Sequence, residues 1–146
     1  MDASAPSGGI LLPDLLTLCR EAQGAADDVF AAARRRVTDM CSENGKVSGP
    51  LVDANQVAAH GLSWLATYIE GLRQMLGWGE RLEAAGAFGE MEQLMVQAAF
   101  GEYLAQIKGG IALSQVEIVR PADLGLTEGD MAPLETAAAK TLIAGG

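Results

Sequence analysis

The stretch from Pro50 to Ala85, PLVDANQVAAHGLSWLATYIEGLRQMLGWGERLEAA, constrains the fold more than any other. Leu51, Ala54, Ala58, Gly61 or Leu62, Leu65, Ile69, Leu72, Leu76 and Leu82 recur at helical spacing, and Val57, Trp64, Tyr68, Met75 and Trp78 form a second set round the side. Read as one helix it would run roughly 50 Å at 1.5 Å per residue. Apolar surface covers more than the usual third of its circumference, so it needs several neighbours at once. Gly61, Gly71, Gly77 and Gly79 would let another element approach closely. Each costs up to about 1 kcal/mol relative to Ala, which close packing would offset.

The flanking segments supply the neighbours. From about Pro13, which suits a first helical turn, Leu15, Cys19, Ala22, Ala26, Val29, Ala33, Val37 and Met40 step by fours and threes, with Leu18 and Phe30 widening the seam. Arg34, Arg35 and Arg36 near its C-terminal end read as a solvated face that complements the helix dipole. Asn44 to Pro50 is the clearest turn, with Asn-Gly accepting positive φ and Pro50 opening the next helix. A third helix spans roughly Glu90 to Lys108 and carries two apolar stripes. Met91, Leu94, Ala98, Gly101 and Ala105 form one; Val96, Phe100, Tyr103 and Ile107 form the other, nearly opposite. Two such faces imply two packing partners, one in the bundle and one outside it or in a second subunit.

Beyond Gly109-Gly110 the pattern is less regular. Ser114 to Glu117 has capping-box spacing, but Pro121 cuts any helix short, so residues 111–126 are expected to cross the end of the bundle. Thr127 to Asp130 is a second cap signal, ahead of a last helix from about Asp130 to Ile143 with Met131, Leu134, Ala138 and Leu142 on one face. No stretch reads as a convincing strand. The expected architecture is all-α: an antiparallel helical bundle of three long helices plus a shorter C-terminal helix. Residues 1–12 read as a flexible tail and 13–144 as a single domain.

Composition then bounds what such a bundle can do. With 49% hydrophobic but only 5% aromatic residues, the core must be built from Leu, Ala, Met, Val and Ile. The formal charge of −9, from 19 acidic against 10 basic residues, leaves no basic stripe for phosphate neutralisation. Nucleic acid and anionic membrane are therefore disfavoured partners. No apolar run approaches a membrane span, since Ile10-Leu11-Leu12 is broken at once by Pro13 and Asp14. No signal peptide follows Met1, so the expected compartment is the cytoplasm. Cys19 and Cys41 would lie roughly 33 Å apart on one straight helix, too far to bridge within it.

Chemistry is sparse. His60, the single histidine, stands one turn before Trp64 with no carboxylate, Cys or second His at ligand spacing, and reads as a hydrogen-bonded core or interface residue. A bundle di-iron site needs Glu-x-x-His from two helices, which one histidine cannot supply. Cys19 and Cys41 read as structural, although Cys41 lies near the arginines; Glu102 and Tyr103 beside Phe100 read as a solvated edge and packing. No catalytic, cofactor-binding or metal-ligating residue is assigned.

Longer words carry more. His60-Gly-Leu-Ser-Trp-Leu-Ala-Thr-Tyr68, Phe100-Gly-Glu-Tyr-Leu-Ala-Gln106 and Glu117-Ile-Val-Arg-Pro-Ala-Asp-Leu-Gly125 resemble the amino-terminal extension of a bacterial subgroup of acyl-CoA dehydrogenases, those of the methylsuccinyl-CoA type. The resemblance implies a parent enzyme that uses FAD to dehydrogenate a short branched acyl-CoA at its α,β-positions and passes electrons to an electron-transfer flavoprotein. It also implies that the flavin, the acyl-CoA and the glutamate base belong to a larger catalytic part. This segment would then be non-catalytic, supporting assembly or interdomain contacts in a homo-oligomer. The alternative is a stand-alone interaction protein, such as a phasin-like helical coat.

Overall fold

The computed structural model describes residues 9–146. Helix α1 (Leu15–Met40) buries the whole predicted seam from Leu15 to Val37, with Met40, Leu18 and Phe30 partly covered at its margins. Its N-terminal flank is not slack. The Leu12 amide and the Ile10 carbonyl are both hydrogen-bonded to Gln97, so the chain is held from Ile10 onward. The rest of the expected tail, residues 1–8, lies outside the described residues.

After α1 the Asn44-Gly45 pair takes φ of 52° and 75°, the geometry of a tight hairpin turn between β1 (Ser42–Glu43) and β2 (Lys46–Val47). A two-residue ladder is too short to show as alternation in a sequence. The Pro50 to Ala85 stretch is two helices, α2 (Gly49–Ala54) and α3 (Gln56–Ala84), and not the single helix its periodicity predicts. Asn55 makes the break. At ψ 34° its side-chain Nδ2 donates to the Leu51 carbonyl at 2.8 Å and, across the bundle, to the Met40 carbonyl at 3.3 Å. Asparagine competes with the helix ladder in this way, and here a tertiary acceptor decides the contest.

From there α3 runs unbroken. Ala58, Gly61, Leu65, Ile69, Leu72, Leu76 and Gly79 form its buried stripe, and Trp64, Tyr68, Met75 and Trp78 pack half-covered beside it. Two of its four glycines admit close neighbours. A methyl on Gly61 would stand 2.5 Å from Val119 Cγ1, and one on Gly79 would stand 3.0 Å from Leu16 Cδ2. Gly71 has only ordinary contact with Tyr103, and Gly77 meets only Arg81 of its own helix.

Helix α4 (Glu90–Gly109) returns antiparallel to α3, as Gly79 against Val96 and Gly71 against Tyr103 show. Of its two predicted stripes one belongs to the bundle: Val96, Phe100 and Ile107 are buried, joined by Gln97 and by Leu104, which the stripes had passed over. In the other, Met91, Ala98 and Ala105 are exposed, Leu94 is half-buried, and Gly101 alone is buried.

Residues 111–126 do pack at the end of the bundle, as a hairpin of β3 (Ile111–Ala112) and β4 (Ile118–Val119) followed by a 3-10 turn at Pro121–Leu124. The Ser114 hydroxyl caps the hairpin loop by accepting from the Val116 and Glu117 amides, so its capping spacing serves a turn and not a helix. The last helix is also divided. The reciprocal cap of Thr127 and Asp130 starts only α5 (Glu128–Met131); Pro133 then sits in a 3-10 segment (Ala132–Glu135), and Thr136 restarts the chain as the cap of α6 (Ala137–Gly145). Pro133 cannot donate into a continuing helix ladder, which accounts for the interruption. Leu134, Ala138 and Leu142 are buried nonetheless, in the order the pattern predicted.

Candidate functional site: the face along the second and third long helices

The sequence candidates end up dispersed. His60 is exposed, with its Nε2 accepting the indole N–H of Trp64 at 3.1 Å, and the two rings meet edge to face. Cys19 and Cys41 are free and buried, and burial pushes the Cys19 thiol up to about 12, against a small opposing pull from Arg20. Arg34, Arg35 and Arg36 are exposed, and Arg36 reaches Asp130 at 3.1 Å. Phe100 is fully buried and Glu102 exposed. Among the described residues no group of three or more His, Cys, Asp or Glu is arranged to hold a metal. None of their helices is long and apolar enough to cross a membrane.

What the fold does bring together is apolar. Trp64, Tyr68, Met75 and Trp78 line one edge of α3, and Met91, Met95 and Tyr103 fall on one i, i+4 row of α4. The two rows meet where Tyr68 and Tyr103 stack, with ring centroids 4.5 Å apart and planes 21° from parallel. The Tyr68 hydroxyl donates to Gln106 Oε1 at 2.8 Å. Burial, and then the neighbouring Tyr103, raise the Tyr68 phenol above its ordinary value. Met91 is 66% and Met95 50% exposed.

The face continues past His60 into a groove of about 580 Å³ between the α2–α3 junction and the β3–β4 hairpin. Val52, Val57, His60, Val116 and Ile118 are among its lining, and Val57 and Val116 stand largely in solvent. Sequence reasoning found the α3 half of this surface through its second apolar set. It missed Met95, Gln106 and the hairpin side chains, whose only sequence signal was Ile and Val beside turn residues.

This surface offers contact area. The hydroxyls beside His60, on Ser63 and Thr67, donate to the Ala59 and Ser63 carbonyls of their own helix, and the groove lining includes no Lys or Arg. Nor does it fit a dinucleotide: the pyrophosphate of FAD would need a backbone cradle at a helix N-terminus or a basic cluster, and the glycine pairs here lie at helix ends without either.

No family model matches the chain. It is similar to a curated protein: 51% identical over 123 residues to a (2S)-methylsuccinyl-CoA dehydrogenase from Cereibacter sphaeroides. The match takes in 84% of this chain and 22% of that relative, so the chain spans less than a quarter of the relative's length. The resemblance read from the sequence is thereby shown, for a segment and not for a whole enzyme.

Proposed function

We propose that this chain is the amino-terminal, non-catalytic helical domain of an FAD-dependent acyl-CoA dehydrogenase, and that its α3–α4 face packs against the catalytic part of the same polypeptide. The parent reaction would be α,β-dehydrogenation of a short branched acyl-CoA such as methylsuccinyl-CoA, with electrons leaving to an electron-transfer flavoprotein, in a homo-oligomer. One observation carries the reading: a chain 51% identical to a methylsuccinyl-CoA dehydrogenase over its matched residues covers only 22% of that enzyme. It also presents an open surface of tryptophan, tyrosine and methionine, residue types enriched at protein interface cores. The flavin and the substrate would be bound by residues outside this segment, and no step of the reaction is assigned to a side chain here.

The encoding DNA gives the direct test. An open frame that continues past Gly146 into a flavin-binding catalytic part is the expected result; a stop codon there would favour the stand-alone coat protein. In the longer polypeptide, replacing Met91 and Met95 together by Ser should expose the junction to limited proteolysis at least tenfold faster, with the bundle's own unfolding little changed because both side chains are half exposed or more. Unaltered proteolysis would overturn the docking assignment. Stoichiometric flavin binding by the 146-residue chain would overturn its non-catalytic role.

A further inference from the structure

Gln97 is a polar side chain in the interior, 2% exposed on α4 between Val96 and the Phe100 turn. Its carboxamide is fully engaged. Oε1 accepts the Leu12 amide at 2.8 Å, and Nε2 donates to the Ile10 carbonyl at 2.9 Å and the Gly145 carbonyl at 2.8 Å. Those partners come from opposite ends of the chain. Ile10 and Leu12 lead into α1, and Gly145 closes α6.

The surroundings reinforce the junction. A methyl on Gly145 would stand 3.1 to 3.4 Å from three carbons of the Leu12 side chain, so the two segments also touch directly. One turn along α4 from Gln97, a methyl on Gly101 would overlap Gly146 Cα and stand 2.8 Å from the Leu142 carbonyl. The end of α6 therefore lies backbone to backbone on α4. A buried carboxamide is costly unless its donors and acceptor are met. Glutamine supplies one acceptor oxygen and two donor hydrogens from a planar group, which matches one amide and two carbonyls.

We infer that Gln97 is a two-ended latch: it couples the seat of residues 10–12 to the seat of residues 142–146, so that releasing either segment loosens the other. If Ile10 and Leu12 leave, the carboxamide keeps one partner out of three, its oxygen is stranded, and its hold on Gly145 loses the restraint that aimed it. A partner that captures the segment before α1 would thus be felt at the end of α6, with no change in the α1–α3 packing. This coupling is independent of the enzymatic reading above.

Amide hydrogen exchange on the 146-residue chain tests it. Gln97→Met should speed exchange at Leu12 and at residues 142–146 about tenfold, the loss of one net hydrogen bond at 1.4 kcal/mol per decade, while residues 65–76 of α3 keep their protection. Removing residues 1–12 should speed exchange at 142–146 in the parent chain and add clearly less in the Gln97→Met background, where only the direct Leu12–Gly145 contact is left to lose. Effects that simply multiply, or an α6 end as well protected after the deletion as before, would overturn the coupling. Should Gln97→Met not fold, Gln97→Glu keeps the acceptor for Leu12 and loses both donors. It should loosen 142–146 and, through the coupling, speed exchange at Leu12 as well although the acceptor for Leu12 is kept; loosening confined to 142–146 would sink the latch.

Discussion

Helix α3 has two long seams, and they are finished differently. Toward α1 the interior is filled by small residues, Ala22, Ala26 and Ala33 against Leu65, Ile69 and Leu72, and its rim is tied by Arg20 to Glu80 at 2.7 Å and Arg73 to Asp27 at 2.6 Å. Toward α4 the rim carries Trp64, Trp78, the Tyr68–Tyr103 stack and open methionines, with no ion pair between the two helices among the described residues. A rim that stays in water gains solubility from charge at little cost in stability. One made of aromatic rings and methionine gains nothing from water and much from a second surface. The contrast, drawn on opposite sides of one helix, is what singles out the α3–α4 face.

The comparison can be pressed from its strongest expectation downward. Leu72→Ala removes a fully buried side chain from the α3 stripe and should cost about 3 kcal/mol in urea unfolding. A cost below about 1 kcal/mol would mean that this stripe is not the core. Tyr103→Ala removes one ring of the stack and should cost about 1 kcal/mol in the same assay, since Tyr103 is itself 36% exposed. A cost equal to that of Leu72→Ala would make the α3–α4 rim part of the interior.

Acid should act on the charged rims. Asp130 is held below the ordinary carboxylate range by the Thr127 backbone amide and hydroxyl, with help from Arg36. Glu135 is lowered by Lys108 and then Lys140, and Glu70 by Gln74 and then Arg73. For a carboxyl whose folded pKa is depressed, the stabilisation is present above the unfolded value and is lost as pH falls through the folded one. The urea midpoint should therefore drop below about pH 4, where unfolded carboxyls begin to bind protons. Exchanging Glu70, Asp130 and Glu135 for their amides should flatten that limb, whereas Tyr68→Phe should leave its shape alone. The smallest effect belongs to Arg20→Met: a shift in melting temperature near the noise at low salt and absent at high salt, because both partners are some two-fifths or more exposed.

Where periodicity and burial coincide, the fold was readable. The α1 seam, the α3 stripe and the order Leu134, Ala138, Leu142 follow from spacing alone, because each such residue faces a neighbour along the whole element. The break at Asn55 was not readable, since it depends on an acceptor, the Met40 carbonyl, that only the folded chain delivers. Leu104 was missed because it lies between the two stripes drawn on α4, and which arc of a two-sided helix turns inward is set by its neighbours. The surface was legible by half. Trp64, Tyr68 and Trp78 stood out as a second apolar set, but their meeting with Tyr103, Gln106 and the 111–119 hairpin is a tertiary fact.

The chain has two tryptophans, Trp64 and Trp78, and both sit half-covered on that single face. Its ultraviolet emission is therefore a local signal. Any surface that closes over the face must strip water from both indoles and move their emission toward the blue, while events confined to the α1 side leave the spectrum still. The domain thus brings a built-in optical reporter to the contact proposed for it, and the contact can be titrated without attaching a dye.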